Sequence, residues 1–155
     1  MKRIGIVGAR KYRDRQSVID LVSSLPKDSM IINSSCRGVC IWAGEAARAA
    51  GLEVRIYAPD LTGIENRADM VERYYRRNRQ LISACDIVHA FISKEAGLTG
   101  GTRYEVRYAK SIGKELILHW EGGKVQRMQK QASLFESTES DFSDGWMKFF
   151  SETLA

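Results

Sequence analysis

The sequence predicts an α/β domain: a single doubly wound parallel sheet of about five strands, with helices on both faces. Three observations carry this expectation. Short apolar runs recur at residues 3–7, 29–33, 52–57, 86–92 and 115–119, each of strand length and suited to a sheet buried on both faces. Longer stretches with helical apolar spacing separate them, and strands alternating with helices build parallel sheets. Three of the strands end in turns of small residues, at Gly8, Ser34 and Gly97, and ligands in such sheets bind at the carboxyl ends of the strands.

The first strand, Arg3-Ile4-Gly5-Ile6-Val7, ends at Gly8, and Gly8-Ala9-Arg10-Lys11-Tyr12 reads as a turn. Asp14 is placed to cap a helix carrying Val18, Leu21, Val22 and Leu25, which Pro26 stops. The second strand centres on Met30-Ile31-Ile32 and runs into Ser34-Ser35-Cys36-Arg37-Gly38, small residues with one arginine. An alanine-rich helix over residues 39–50 is closed by Gly51. The third strand stops at Ala58-Pro59-Asp60, and residues 62–69 read as a polar loop. A helix is expected over residues 70–84, with Met70, Tyr74, Leu81 and Ile82 as its apolar members. It carries Arg73, Arg76, Arg77 and Arg79.

After the fourth strand comes Gly97-Leu98-Thr99-Gly100-Gly101-Thr102, and then a helix closed by Gly113. Strand, glycine-rich turn and helix in that order aim free backbone N–H groups and a positive dipole end at one point. Gly100 and Gly101 have no Cβ to keep a phosphate from the main chain. Thr102 and Glu105 stand at capping-box spacing, which gives both a purely structural reading as well. The domain is expected to occupy residues 1–122 and a polar tail residues 123–155. The tail ends in a short amphipathic helix bearing Trp146, Phe149, Phe150 and Leu154, suited to docking on the domain or on a second copy of the chain.

With 155 residues, 44% of them apolar and 28% charged, the chain has the make-up of one globular domain with a sizeable core. No run of eighteen apolar residues suggests a membrane span. The N-terminus enters a strand without an apolar leader, and three cysteines, Cys36, Cys40 and Cys85, fit a reducing compartment; both point to the cytoplasm. No second Cys or His pair follows Cys36 and Cys40 at ligand spacing, so neither a metal nor a cofactor is expected. A net charge of +5 favours an anionic partner.

Taken together, the loops resemble those of the SLOG superfamily, the Rossmann-like group that contains the LOG enzymes and the Rossmann domain of DNA-processing protein A. Gly8-Ala9-Arg10 resembles the first-loop G-S-R. Ser34-Ser35-Cys36-Arg37-Gly38-Val39 stands where small members read S-G-G-A-R-G-V-D, with serines in place of the glycine pair and Cys40 in place of the aspartate. Arg77-Asn78 followed by Asp86 resembles the R-N…a-D element, and Gly101-Thr102-x-x-Glu105 the G-T-x-x-E of LOG enzymes. The resemblance runs from about Lys2 to His119.

It implies a Rossmann-like fold and a nucleotide or nucleotide-derived ligand, bound by a sensor or sequestering protein. Gly8, Ala9, Arg10, Ser34, Ser35, Arg37, Gly38, Asn78, Gly100, Gly101 and Thr102 are the expected ligand-binding residues, with Arg10, Arg37 and Arg77 supplying charge-assisted hydrogen bonds. The alternative is an N-glycosidase acting on nucleoside 5′-monophosphates, with Glu105 and Arg77 as catalytic residues: a carboxylate beside an oxocarbenium-like ribose stabilises it or orients water. A second alternative is single-stranded DNA binding, with Tyr12, Tyr74 and Tyr75 as stacking candidates. In the tail, Gln131-Ala132-Ser133-Leu134-Phe135 resembles the bacterial sliding-clamp-binding pentapeptide, with Gln131, Leu134 and Phe135 as its contact residues. A clamp partner places the chain near a replication fork in a bacterium or in a virus that infects one.

Overall fold

In the computed structural model, which describes residues 1–128, the chain runs β1 (Arg3–Gly8), α1 (Arg15–Ser23), β2 (Met30–Ser34), α2 (Val39–Ala49) and β3 (Glu53–Tyr57). It continues through α3 (Arg67–Ser83), β4 (Ile87–Ile92), α4 (Gly100–Ser111), β5 (Glu115–Trp120) and β6 (Val125–Met128). The strands form one sheet in the order β3-β2-β1-β4-β5-β6. β1 pairs in parallel with β2 on one side and β4 on the other. The strand order therefore reverses at β1, and the loops leaving β1 and β4 flank the crevice this creates.

Alternation along the strands divides the core in two. Ile4, Ile6, Ile31, Ile87, Phe91 and Ile117 pack with Val18 and Val22 of α1 and with Val39, Ala43 and Ala47 of α2. Val7, Ile32, Val88, Ala90, Ile92, Leu116 and Leu118 pack with Leu81 and Ile82 of α3 and with Val106 and Ala109 of α4. Each such aliphatic side chain contributes about 1.5–3 kcal/mol when fully buried, and the strands at the centre of the sheet are buried on both faces, as their continuous apolar runs require.

Two boundaries differ from expectation. α3 begins at Arg67, inside the stretch expected to be loop, because the Asn66 side chain accepts a hydrogen bond from the Asp69 N–H at 2.9 Å and Asp69 places an acidic group in the first turn. The sheet has a sixth strand, formed by residues assigned to the tail. Gly122 and Gly123, both at positive φ, turn the chain back. β6 then pairs antiparallel with β5, Leu116 opposite Met128 and His119 opposite Val125. Only Met128 of this four-residue edge strand packs into the core, so the sequence carries no apolar run there. Gln131, Leu134 and Phe135 of the clamp-like peptide, and the stretch with Trp146, Phe149, Phe150 and Leu154, lie outside the described residues. Among the described residues, no helix is long and apolar enough to cross a membrane, and no group of three His, Cys, Asp or Glu side chains is placed to hold a metal ion.

Candidate functional site

A cleft of about 130 Å³ opens at the carboxyl edge of the sheet, over the ends of β1, β2 and β4. It is smaller than the roughly 300–1,000 Å³ of pockets that engulf a drug-sized ligand. The space suits one charged group and the atoms next to it, with the remainder of a larger ligand lying outside.

The first wall follows from β1. Past Gly8 the Ala9 N–H bonds back to the Phe91 carbonyl at 3.3 Å, and Tyr12 sits edge-on against the Phe91 ring at 5.4 Å. At Gly8 the strand presses on the first turn of α2: a Cβ there would lie 2.7–2.9 Å from three side-chain carbons of Val39. Only glycine admits this approach, which brings the start of α2 up to the cleft. The second wall comes from the end of β2. The Ser34 hydroxyl donates to the Cys40 sulfur at 3.4 Å and accepts from the Cys36 N–H at 3.3 Å. Burial pushes the Cys40 thiol up to about 12.

The third wall is the start of α4. Gly100 holds φ +58°, which favours glycine, and Gly101 and Thr102 are buried in the first turn. The helices differ in how they begin. The Asp14 and Asn66 side chains cap α1 and α3. α2 and α4, whose first turns border the cleft, have no side-chain cap: Gly38 offers none, and the Thr99 hydroxyl turns away to the Ala96 carbonyl. Two sets of backbone N–H groups at the positive ends of helix dipoles are therefore left for a ligand.

Across the cleft stands Arg77, on the buried face of α3 and 4% exposed. Its Nε donates to the Asn78 Oδ1 at 2.6 Å, its Nη1 to the Tyr57 carbonyl at 3.4 Å, and its guanidinium lies over the Tyr74 ring. Among the described residues no carboxylate lies within ion-pair distance of it. The nearby Glu105 carboxyl is buried in α4, and burial pushes it up to about 7 against the opposing charge of Arg77.

Of the expected residues, Gly8, Ala9, Arg10, Ser34, Arg77, Asn78, Gly100, Gly101, Thr102 and Glu105 meet in this one cleft. Ser35 and Arg37 are exposed and line no part of it, and Gly38 serves as the N-cap of α2. Ser35 and Arg37 stand on a loop bent so that only Ser34, Cys36 and Cys40 face inward. The capping-box reading of Thr102 and Glu105 is overturned: the helix starts at Gly100 with Thr99 as its N-cap, so Thr102 lies in its first turn and Glu105 faces the cleft. Tyr12 is a core residue, 3% exposed, and offers no ring for stacking. Tyr75 stands edge-on to Tyr104 at 4.4 Å. Lys11, Cys36, Cys40, Ala96 and Thr99 join the lining without having been expected; Lys11 and Thr99 adjoin expected residues, and Cys40 stands where the resemblance would put an aspartate.

Neither a scan of protein-family models nor a search of curated proteins finds a match. Among solved structures, DNA processing protein A from Helicobacter pylori, described with its single-stranded DNA binding mode, superposes with a TM-score of 0.56 at 20% identity, over 76% of this chain and 64% of its own. The fold is that of DNA processing protein A. The Streptococcus pneumoniae protein of that name superposes with a TM-score of 0.58 at 17% identity, over 98% of this chain and 56% of its own. The chain thus spans less than two thirds of the length of either. At these identities the likeness is one of fold, and it agrees with the Rossmann-like architecture that the SLOG resemblance implies.

Proposed function

We propose that the cleft binds the phosphate end of a nucleotide-derived ligand. The observation that carries this reading is the buried Arg77 guanidinium, free of any carboxylate ion pair among the described residues and facing two helix starts that no side chain caps. Phosphate oxygens complement both: charge-assisted hydrogen bonds from the guanidinium and backbone N–H donors from α2 and α4. Arg10 and Lys11 at the rim add positive charge where the rest of the ligand leaves the cleft.

Two further readings each rest on one observation. Glu105, buried in the cleft beside Arg77, supports turnover of the same ligand: in its ionised form the carboxylate would stabilise an oxocarbenium-like ribose. The shared fold with the Helicobacter pylori protein supports single-stranded DNA, whose backbone would follow the exposed Arg10, Lys11 and Arg37.

Calorimetry with a panel of nucleoside 5′-monophosphates and with a short oligonucleotide separates them. The binding reading expects monophosphate affinity that Arg77→Ala reduces by on the order of 100-fold, the effect of losing a bidentate charged contact in a buried site. Release of free base would establish the glycosidase. Oligonucleotide binding that survives Arg77→Ala and is lost on neutralising Arg10, Lys11 and Arg37 would replace the cleft reading with the DNA one.

A further inference from the structure

Glu121 follows β5 immediately and lines no part of the cleft, yet its carboxylate joins two loops that both border it. Oε2 accepts from the backbone N–H groups of Arg13 at 2.7 Å and Asp14 at 3.0 Å, in the loop between β1 and α1. Oε1 accepts from the N–H of Lys94 at 2.9 Å, in the loop between β4 and α4. The Glu121 N–H bonds to the Ile92 carbonyl at 2.9 Å, which fixes the root of the side chain to the end of β4.

Each loop is also tied within itself. The Tyr12 N–H reaches the Ala9 carbonyl at 3.1 Å. The Ser93 hydroxyl accepts from the N–H groups of Glu95 and Ala96, and the Gly97 N–H bonds to the Ser93 carbonyl at 2.8 Å. A loop braced in this way moves as a unit, so holding it at Arg13 or Lys94 also sets Arg10, Lys11, Ala96 and Thr99. Glu95 also joins the loops through its ion pairs with Arg13 and Lys11, but these are solvent-exposed side chains and contribute little.

We propose that Glu121 is a positioning residue that clasps these loops and sets the width of the cleft for a phosphate group. The proposal rests on the anion-binding reading above. Glu121→Gln tests it, because the amide replaces one acceptor oxygen with a donor that opposes a backbone N–H. In the full chain, amide hydrogen exchange should quicken by tenfold or more across residues 9–14 and 93–99 and remain unchanged in β2 and α3. Affinity for adenosine 5′-monophosphate should fall by about tenfold with the thermal midpoint nearly unmoved, and Glu95→Gln should do neither. Quickening confined to Arg13, Asp14 and Lys94, quickening throughout the sheet, unfolding of the variant, or unchanged affinity despite loosened loops would each overturn it. Should the wild type bind neither inorganic phosphate nor the monophosphate, the anion reading fails, and the clasp is then decided by the exchange pattern alone.

Discussion

Replacing Glu105 with glutamine should stabilise the protein at pH 8 and leave its stability at pH 4 nearly unchanged. Glu105 as a residue is 8% exposed, and burial raises its carboxyl from the ordinary 4.5 to about 7, with the charge of Arg77 pulling the other way. In the unfolded chain it ionises near its ordinary value. Below that pH both states are protonated and the group costs nothing. Between 4.5 and about 7 the unfolded chain ionises while the folded one keeps its proton, so stability falls as pH rises, and above that window the loss is complete. The gap corresponds to about 3 kcal/mol at 1.36 kcal/mol for each pH unit. Glutamine is neutral throughout and escapes this cost. In a domain of this size about 3 kcal/mol shifts the midpoint by roughly 6–12 °C. Thermal unfolding followed by circular dichroism from pH 4 to pH 8, on wild type and Glu105→Gln, reads the effect directly. A difference that is the same at both ends of the range, or a lower midpoint for the variant at pH 8, would refute the argument. The same titration bears on binding. A phosphate beside Glu105 favours its protonated form, so binding at pH 7 should take up protons, seen as a dependence of the calorimetric heat on the ionisation enthalpy of the buffer.

Two further outcomes follow from the walls of the cleft. Gly8→Ala places a Cβ within 3.0 Å of three carbons of the fully buried Val39; overpacking of this kind costs about 1–3 kcal/mol and displaces the start of α2. Thermal unfolding should show the loss, Val39→Ala should relieve only part of it because the alanine keeps the Cβ at 2.8 Å, and an unchanged midpoint in the single variant would contradict the packing. Burial pushes the Cys40 and Cys85 thiols up to about 12, so iodoacetamide at pH 8 should modify the half-buried Cys36 alone. A ligand in the cleft should slow that reaction, since Cys36 lines the wall; native-state labelling at Cys40 or Cys85, read by mass spectrometry, would refute it.

The order of strands and helices was legible because each central strand is an unbroken apolar run and each turn carries a residue with a local reason to be there: Asp14 as a cap, Gly51 and Gly113 at positive φ after α2 and α4. β6 was not legible, since a four-residue edge strand with one packed side chain needs no hydrophobic pattern. The cleft was legible in outline because strand ends converge by topology alone, whichever residues they carry. Which residues of the second loop face inward was not, because that depends on the turn between β2 and α2, where Gly38 adopts φ +81° and leaves Ser35 and Arg37 outside. Thr102 and Glu105 show how a correct spacing yields a wrong role. The capping box requires the threonine to precede the helix, and Gly100, entering at positive φ, starts it two residues earlier.

The arginines of α3 show where sequence reasoning reached its limit and where function begins. As a run of like charges they read as a solvated face, which suits the exposed Arg76; Arg73 and Arg79 are partly buried and pair with Asp60 at 3.6 Å and Glu72 at 3.0 Å. Arg77 falls instead on the face that carries Leu81 and Ile82 into the core, inside the helix, where it borders the cleft at the carboxyl edge of the sheet. A guanidinium there forfeits hydration and is compensated by an amide oxygen, a carbonyl and a tyrosine ring, none of which carries negative charge. Glu105 is near enough to feel Arg77 but not to pair with it. Moving the carboxylate closer would form a buried ion pair and fill the cleft with protein. Held apart, the two leave a gap in which, on the proposed function, an anion would meet the charge of Arg77 while Glu105 retained a proton. For a fold that needed only stability, the aliphatic residues typical of the rest of that face would serve better.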